Sequence, residues 1–114
     1  MLALLLLPTA GAEAHAIIMT SKPAVNSKVA EGPFEIFLQY NSRIDMARSR
    51  VIVVAPDGHT IRVAITPGNS PGSMTGHVTA DMPGRWTLRW QVLSADGHIT
   101  RGEIPFVVTG KTAP

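Results

Sequence analysis

Cysteine is absent from these 114 residues. No disulfide can staple the chain, and a metal site would have to use nitrogen, oxygen or thioether ligands. Charge is sparse at 16%, and the formal net charge is only +2. The basic residues are spread along the chain, with no Lys/Arg cluster of the kind that marks a nucleic-acid footprint. Aromatic residues number six: three Phe, two Trp and one Tyr. The opening apolar run, "MLALLLL", is far shorter than the roughly 20 residues a membrane span requires. No P-loop, Gly-rich dinucleotide motif, nucleophile elbow or zinc-type cysteine set appears.

What is present begins with that apolar run. It is followed by the small and polar "PTAGAEA", which ends in the A-x-A pattern Ala12-Glu13-Ala14. This pairing reads as a secretory signal over residues 1–14, cleaved after Ala14. The expected mature domain is then 15–114, beginning at His15, with its net charge raised by one unit through the loss of Glu13. No Lys or Arg precedes the apolar run.

Beyond residue 15 the dominant pattern is period two, and helical periodicity is hard to find. "FEIFLQY" puts Phe34, Ile36, Leu38 and Tyr40 on one face. "RWTLRWQVL" does the same for Trp86, Leu88, Trp90 and Val92. "RVIVVAP", "TIRVAIT" and "GEIPFVVTG" are further strand-like runs, and "AIIMTS" and "SMTGHVTA" are weaker ones. Turn signals separate them: Asp57-Gly58, "TPGNSPGS" and Pro83-Gly84. The polar, Pro-containing stretch 21–33 reads as an irregular crossover, and the tail "GKTAP" as a frayed end. The expected fold is all-β: an Ig-like antiparallel β-sandwich or Greek-key barrel of about seven strands.

Chemistry concentrates on histidine. An N-terminal His offers its free amine and its ring nitrogen to one metal ion, and planar nitrogen donors suit Cu(II). The triplet Asp-Gly-His occurs twice, at 57–59 and at 96–98. On extended backbone Asp96 and His98 point to one side, where a carboxylate and an imidazole can share an ion. Asp57 and His59 have the same spacing, so spacing does not choose between the copies. His77 has no ligand-like neighbour in sequence. Met19, Met46, Met74 and Met82 are scattered, as core or surface filler would be.

The residues also carry a resemblance. "HAIIMTSKPAVNSKV" is similar to the N-terminal His strand and Ser-x-Pro-Ala segment of the CopC-type periplasmic copper-binding proteins. "PGRWTLRWQVLSADGHITRGEIPFVV" resembles that family's Trp strand, Ser-x-Asp-Gly-His turn and Gly-x-x-x-Phe strand. The resemblance implies an exported, periplasmic Cu(II) carrier or buffer in copper homeostasis or resistance, and not an enzyme. It implies His15 (amine and ring), Asp96 and His98 as ligands, with Asp96 giving an oxygen or orienting a ring. Asp57-Gly58-His59 falls where the family has an ordinary connection. The partners implied are the copper ion and a membrane copper transporter of the CopD type, with no nucleic acid; a monomer is expected. Two departures stand out. No Met-rich loop is present, so Cu(II) alone is expected, and Asn41 and Ser42 stand where some members have an acidic residue. The alternatives are a histidine-brace copper oxygenase and a non-metal Ig-like interaction module.

Overall fold

A computed structural model describes residues 16–110. Among the described residues there are nine strands: β1 (Ile18–Lys22), β2 (Lys28–Ala30), β3 (Gly32–Tyr40), β4 (Ile44–Val54), β5 (Thr60–Val63), β6 (Ile65–Pro67), β7 (Ser73–Ala80), β8 (Gly84–Ser94) and β9 (Ile99–Thr109). They form two sheets, one ordered β1-β3-β7-β6 and the other β2-β9-β8-β4-β5. No helix occurs among the described residues. The sandwich expected from the alternation is therefore the observed fold.

The alternation also picks the inner faces. Ile36, Leu38 and Tyr40 from β3 face Trp86, Leu88, Trp90 and Val92 from β8, all of them buried. Val51 and Val53 of β4 and Ile104, Phe106 and Val108 of β9 complete the core. Each fully buried side chain of this size contributes roughly 1.5–3 kcal/mol through apolar burial. The rings lock the layers: Tyr40 meets Trp90 edge-on at 5.1 Å and Phe34 meets Phe106 edge-on at 5.6 Å. Burial also pushes the Tyr40 hydroxyl well above its ordinary pKa, so it stays protonated.

The strand count differs from the expected seven for two physical reasons. The run "TIRVAIT" is two strands. The chain leaves one sheet after Val63 and enters the other at Ile65, so Ala64 is a corner. Val63 is buried, and Ile61 and Ile65 pack against the same core from the two sheets. The stretch 21–33 is irregular in part, as expected, but Lys28–Ala30 pairs with Val107–Thr109 of β9. That pairing is parallel, so the second sheet is not purely antiparallel. The three-residue β2 lies at the sheet edge, where a polar strand is tolerated. The segment "SMTGHVTA" is stronger than its sequence suggests, since β7 lies between β3 and β6.

Gly102 faces Trp90 across the β8–β9 ladder. A Cβ at that position would lie 2.4–2.9 Å from the indole. The glycine leaves the space into which the ring folds. Gly102→Ala is expected to destabilise the domain by about 1–3 kcal/mol, the range for overpacking a closed core. Urea unfolding followed by Trp fluorescence measures this. A change within about 0.5 kcal/mol, typical of an unremarkable surface site, would show that the ring is not confined there.

Candidate metal centre

Both Asp-Gly-His triplets close hairpins, and the two turns share one geometry. In the β8–β9 turn the Ser94 N–H donates to the His98 carbonyl (2.8 Å) and the Gly97 N–H to the Ser94 carbonyl (2.9 Å). In the β4–β5 turn the Ala55 N–H donates to the His59 carbonyl (2.8 Å) and the Gly58 N–H to the Ala55 carbonyl (2.9 Å). Gly97 and Gly58 have φ of 95° and 93°. That left-handed conformation explains why each triplet has glycine at its centre.

Their surroundings differ. Val54 lies opposite Thr87 and Ile44 opposite Ser94, so the two turns are at opposite ends of the sandwich. At the first, His59 Nδ1 stands 2.5 Å from the Asp57 carboxylate, and Nε2 stands 3.7 Å from Asp81. The ring also meets Trp86 edge-on at 6.1 Å. His59 is thus held among neighbours of its own end.

At the second turn three chain segments converge. The Ala95 N–H donates to the Arg43 carbonyl (3.0 Å), tying the turn to the β3–β4 connection. That connection holds the start of β1 through Asn41. The Ile17 N–H donates to Asn41 Oδ1 (2.8 Å), and the Asn41 N–H donates to the Ile17 carbonyl (3.0 Å). The Thr100 hydroxyl donates to the Ala16 carbonyl (3.3 Å). Ala16 itself is buried. Asp96 and His98 therefore lie at the end of the sandwich where the described chain begins.

Within the turn, His98 Nδ1 is 3.3 Å from Asp96 Oδ1. Both side chains are about half exposed. The Ser94 hydroxyl, buried with Ser94, donates to the Asp96 carboxylate. This bond, more than the weaker contacts from His98, holds the Asp96 carboxyl below the ordinary carboxylate range. Asp57 is also held low, but chiefly by the backbone N–H of His59. Ser94 has its counterpart in Ala55, which has no hydroxyl to give.

The structure thus brings Asp96 and His98 together, while His15 lies outside the described residues. Among the described residues, no group of three His, Cys, Asp or Glu could hold a metal ion. A site here would need a donor from beyond them. His77 is on β7 opposite Glu35 and exposed. Met74 is buried, Met46 and Met82 pack against the core, and Met19 is exposed. Asn41 escaped the sequence reading, which treated it as a missing acid. Asp45, the nearby carboxylate, pairs instead with Arg48 at 2.9 Å.

A family model described as the CopC domain matches residues 18–109. Protein YobA of Escherichia coli strain K12 is 31% identical over 98 residues, covering 83% of this chain and 79% of its own. The copper transport protein CutJ of Bacillus subtilis strain 168 is 27% identical over 98 residues, covering 83% of this chain and 18% of that longer protein. Among solved structures, CopC from Methylosinus trichosporium OB3b has the same fold, with a TM-score of 0.73 at 22% identity, covering 88% of this chain and 99% of that one. PcoC, a methionine-rich copper resistance protein from Escherichia coli, gives a TM-score of 0.66 at 25% identity, covering 84% of this chain and 100% of that one.

Because the Asp96 pKa is lowered on folding, its contribution to stability is present above the ordinary value of 3.8 and is lost as pH falls through the lowered value. Ser94→Ala is expected to move the Asp96 titration up toward 3.8 and leave Asp57 unchanged. Carboxyl-carbon NMR titration reads both groups in one sample. An unmoved Asp96 would show that the Ser94 hydroxyl is not what holds it.

Proposed function

The chain belongs to the CopC domain family, a family of copper-binding proteins and not of enzymes, and we propose that it is a periplasmic Cu(II) carrier or buffer serving copper homeostasis or resistance. Copper is its cargo. His15 supplies its amine and ring nitrogen, His98 a further nitrogen and Asp96 an oxygen. The observation that carries this reading is the anchoring of Ala16 and Ile17 beside the second Asp-Gly-His turn.

Covalent geometry supports it. His15 is bonded to Ala16, whose carbonyl accepts from Thr100, two residues beyond His98. Consecutive Cα atoms are about 3.8 Å apart, so His15 is covalently tethered one residue from the Thr100–Ala16 bond. The spacing of the pair fits as well. Two donors at roughly 2.0–2.1 Å from one ion, at angles between a right angle and a tetrahedral one, are about 2.8–3.4 Å apart. The observed 3.3 Å lies in that interval. Half exposure of both side chains suits an ion that must be passed on.

The roles of the remaining groups follow. Ser94 keeps the Asp96 carboxylate ionised and aimed. Asn41 fixes Ile17, two residues along the chain from His15, and is not itself a ligand in this reading. Export and cleavage after Ala14 would expose the amine, so the site is completed only outside the cytoplasm. The nitrogen donors must shed protons to bind, so affinity falls with acidification while Asp96 remains ionised to a pH below the ordinary carboxylate range. A membrane copper transporter is the matching acceptor for such a cargo.

Titration of the processed protein with Cu(II) is expected to show one tight site, weakening as pH falls. His15→Ala should cost more than the roughly 100-fold that loss of a supporting contact can cost. A residue added before His15 should do the same, by converting the amine to an amide. Asn41→Ala should cost less, about tenfold, because it loosens the strand and removes no donor. Unchanged affinity in His15→Ala, or an exported protein whose mass places its first residue elsewhere, would overturn the assignment.

A further inference from the structure

The basic residues that look scattered in sequence are gathered by the fold. Arg62 of β5, Arg50 of β4, Arg89 of β8 and Arg101 of β9 all lie at exposed positions of the five-stranded sheet, alternating with its buried residues. The register sorts them into two rows. Ile52 pairs with Arg62 on one side and Arg89 on the other, and Gln91 pairs with Arg50 and Arg101. Within each row the two cations are two strands apart, about 10 Å. Their repulsion is thereby softened, since that distance is close to the screening length at moderate salt.

A groove of about 550 Å³ runs over these rows, its lining including Ile52, Gln91, Glu103 and the arginines 50, 89 and 101. A smaller one of about 190 Å³ adjoins it, sharing Arg50 and Gln91 and reaching Arg62. Its far side is formed by Ala47–Ser49, where the β4 register is interrupted. Among the described residues one carboxylate answers the four cations: Glu103, 2.9 Å from Arg89. Arg101 is turned onto the Gln91 amide oxygen at 2.8 Å. No carboxylate among the described residues pairs with Arg50, Arg62 or Arg101.

We propose that this outer face docks an acidic, extended peptide segment of a partner protein, whose carboxylates take the guanidinium groups of Arg50, Arg62 and Arg101. Guanidinium is planar and forked, and matches carboxylate two bonds at a time. The shape selects the occupant. The cations line a recess beside the interrupted part of β4, which a single extended chain can enter. A second copy is disfavoured by charge, because pairing this face with itself brings like charges together. The four strands from β5 to β9 span about 14 Å, the length of about four extended residues. A segment of that size with three or more Asp or Glu fits the charge.

The probe is a fluorescein-labelled hexapeptide of alternating Glu and Asp, titrated with the full protein and read by anisotropy. Saturable binding that weakens as salt rises is expected, with amide shifts at Arg50, Gln91 and Arg101. Arg50→Ser/Arg62→Ser should lose about tenfold in affinity. Lys22→Ser/Arg43→Ser, which removes the same charge from β1 and the β3–β4 connection, should lose little. Unfolding midpoints of both variants establish that they are folded. Equal losses in the two variants would reduce the effect to net charge and overturn the proposal. So would the lack of saturation, or binding of phosphatidylglycerol vesicles without binding of the hexapeptide.

Discussion

Asn41 grips Ile17 twice, accepting from its N–H through the side-chain oxygen and donating to its carbonyl from the backbone. This pair of bonds decides where the chain enters the sandwich. β1 is an edge strand, with a register break between Ile18 and Thr20, so its ladder alone would hold its first residues loosely. The Asn41 grip restores the hold just ahead of that break. Thr100 adds a third tie, to Ala16, from the strand that follows the second Asp-Gly-His turn. Because Arg43 in turn holds Ala95, the entry, the β3–β4 connection and the β8–β9 turn form one closed set of contacts. None of these bonds is strong alone, at about 1 kcal/mol each. Their value lies in fixing the positions of three chain segments relative to one another.

The two Asp-Gly-His turns show how little a local motif determines. Same loop length, same hydrogen bonds and nearly the same glycine φ occur in both. What separates them is one residue before the loop and the identity of the strands across it. Ser94 gives the Asp96 carboxylate a hydroxyl, where Ala55 gives Asp57 nothing. With no such donor, Asp57 turns to His59, and the pair closes on itself beside Trp86 and Asp81. At the other end the carboxylate is satisfied from below by Ser94, and His98 stands a more open 3.3 Å away. The first turn is built to be complete within itself. The second is fixed in place with its Asp96 and His98 side chains half exposed, at the end of the sandwich where the described residues begin.

Much of the fold was legible in the sequence because period-two alternation is a local signal with a global consequence. Ile36, Leu38, Trp86, Leu88 and Val92 could be assigned to the core from their spacing, and they are there. The corner at Ala64 was not legible. Ile61, Val63 and Ile65 alternate without interruption, and a strand that changes sheet keeps its apolar residues inward on both sides of the bend. Three-residue strands at edges carry too few residues to show a period, which hid β2 and β6. At the β8–β9 turn, Asp96 and His98 were legible as a pair from their spacing, and the structure brings them to 3.3 Å. Asn41 was not, because it acts through a backbone 24 residues away, and no spacing encodes that.

The same reasoning accounts for the basic face. Charge that is dilute along a chain becomes concentrated when strands distant in sequence are laid side by side. Arg50 and Arg101 are 51 positions apart, yet the pairing of each with Gln91 puts them on either side of one residue. A core could have been built with Thr or Glu at those outward positions, since they bury nothing there. Alternating signs across neighbouring strands would have stabilised the sheet, and like charges weaken it. One row keeps such a pair, where Glu103 lies opposite Arg89, but elsewhere the outer rows set cation beside amide and cation beside isoleucine and forgo that stabilisation. The deficit is small at this spacing, but it has a direction: every missing counter-charge is negative. A partner that supplies carboxylates to this face would therefore add what the sheet itself leaves out, at a surface separate from the convergence of β1 with the β8–β9 turn.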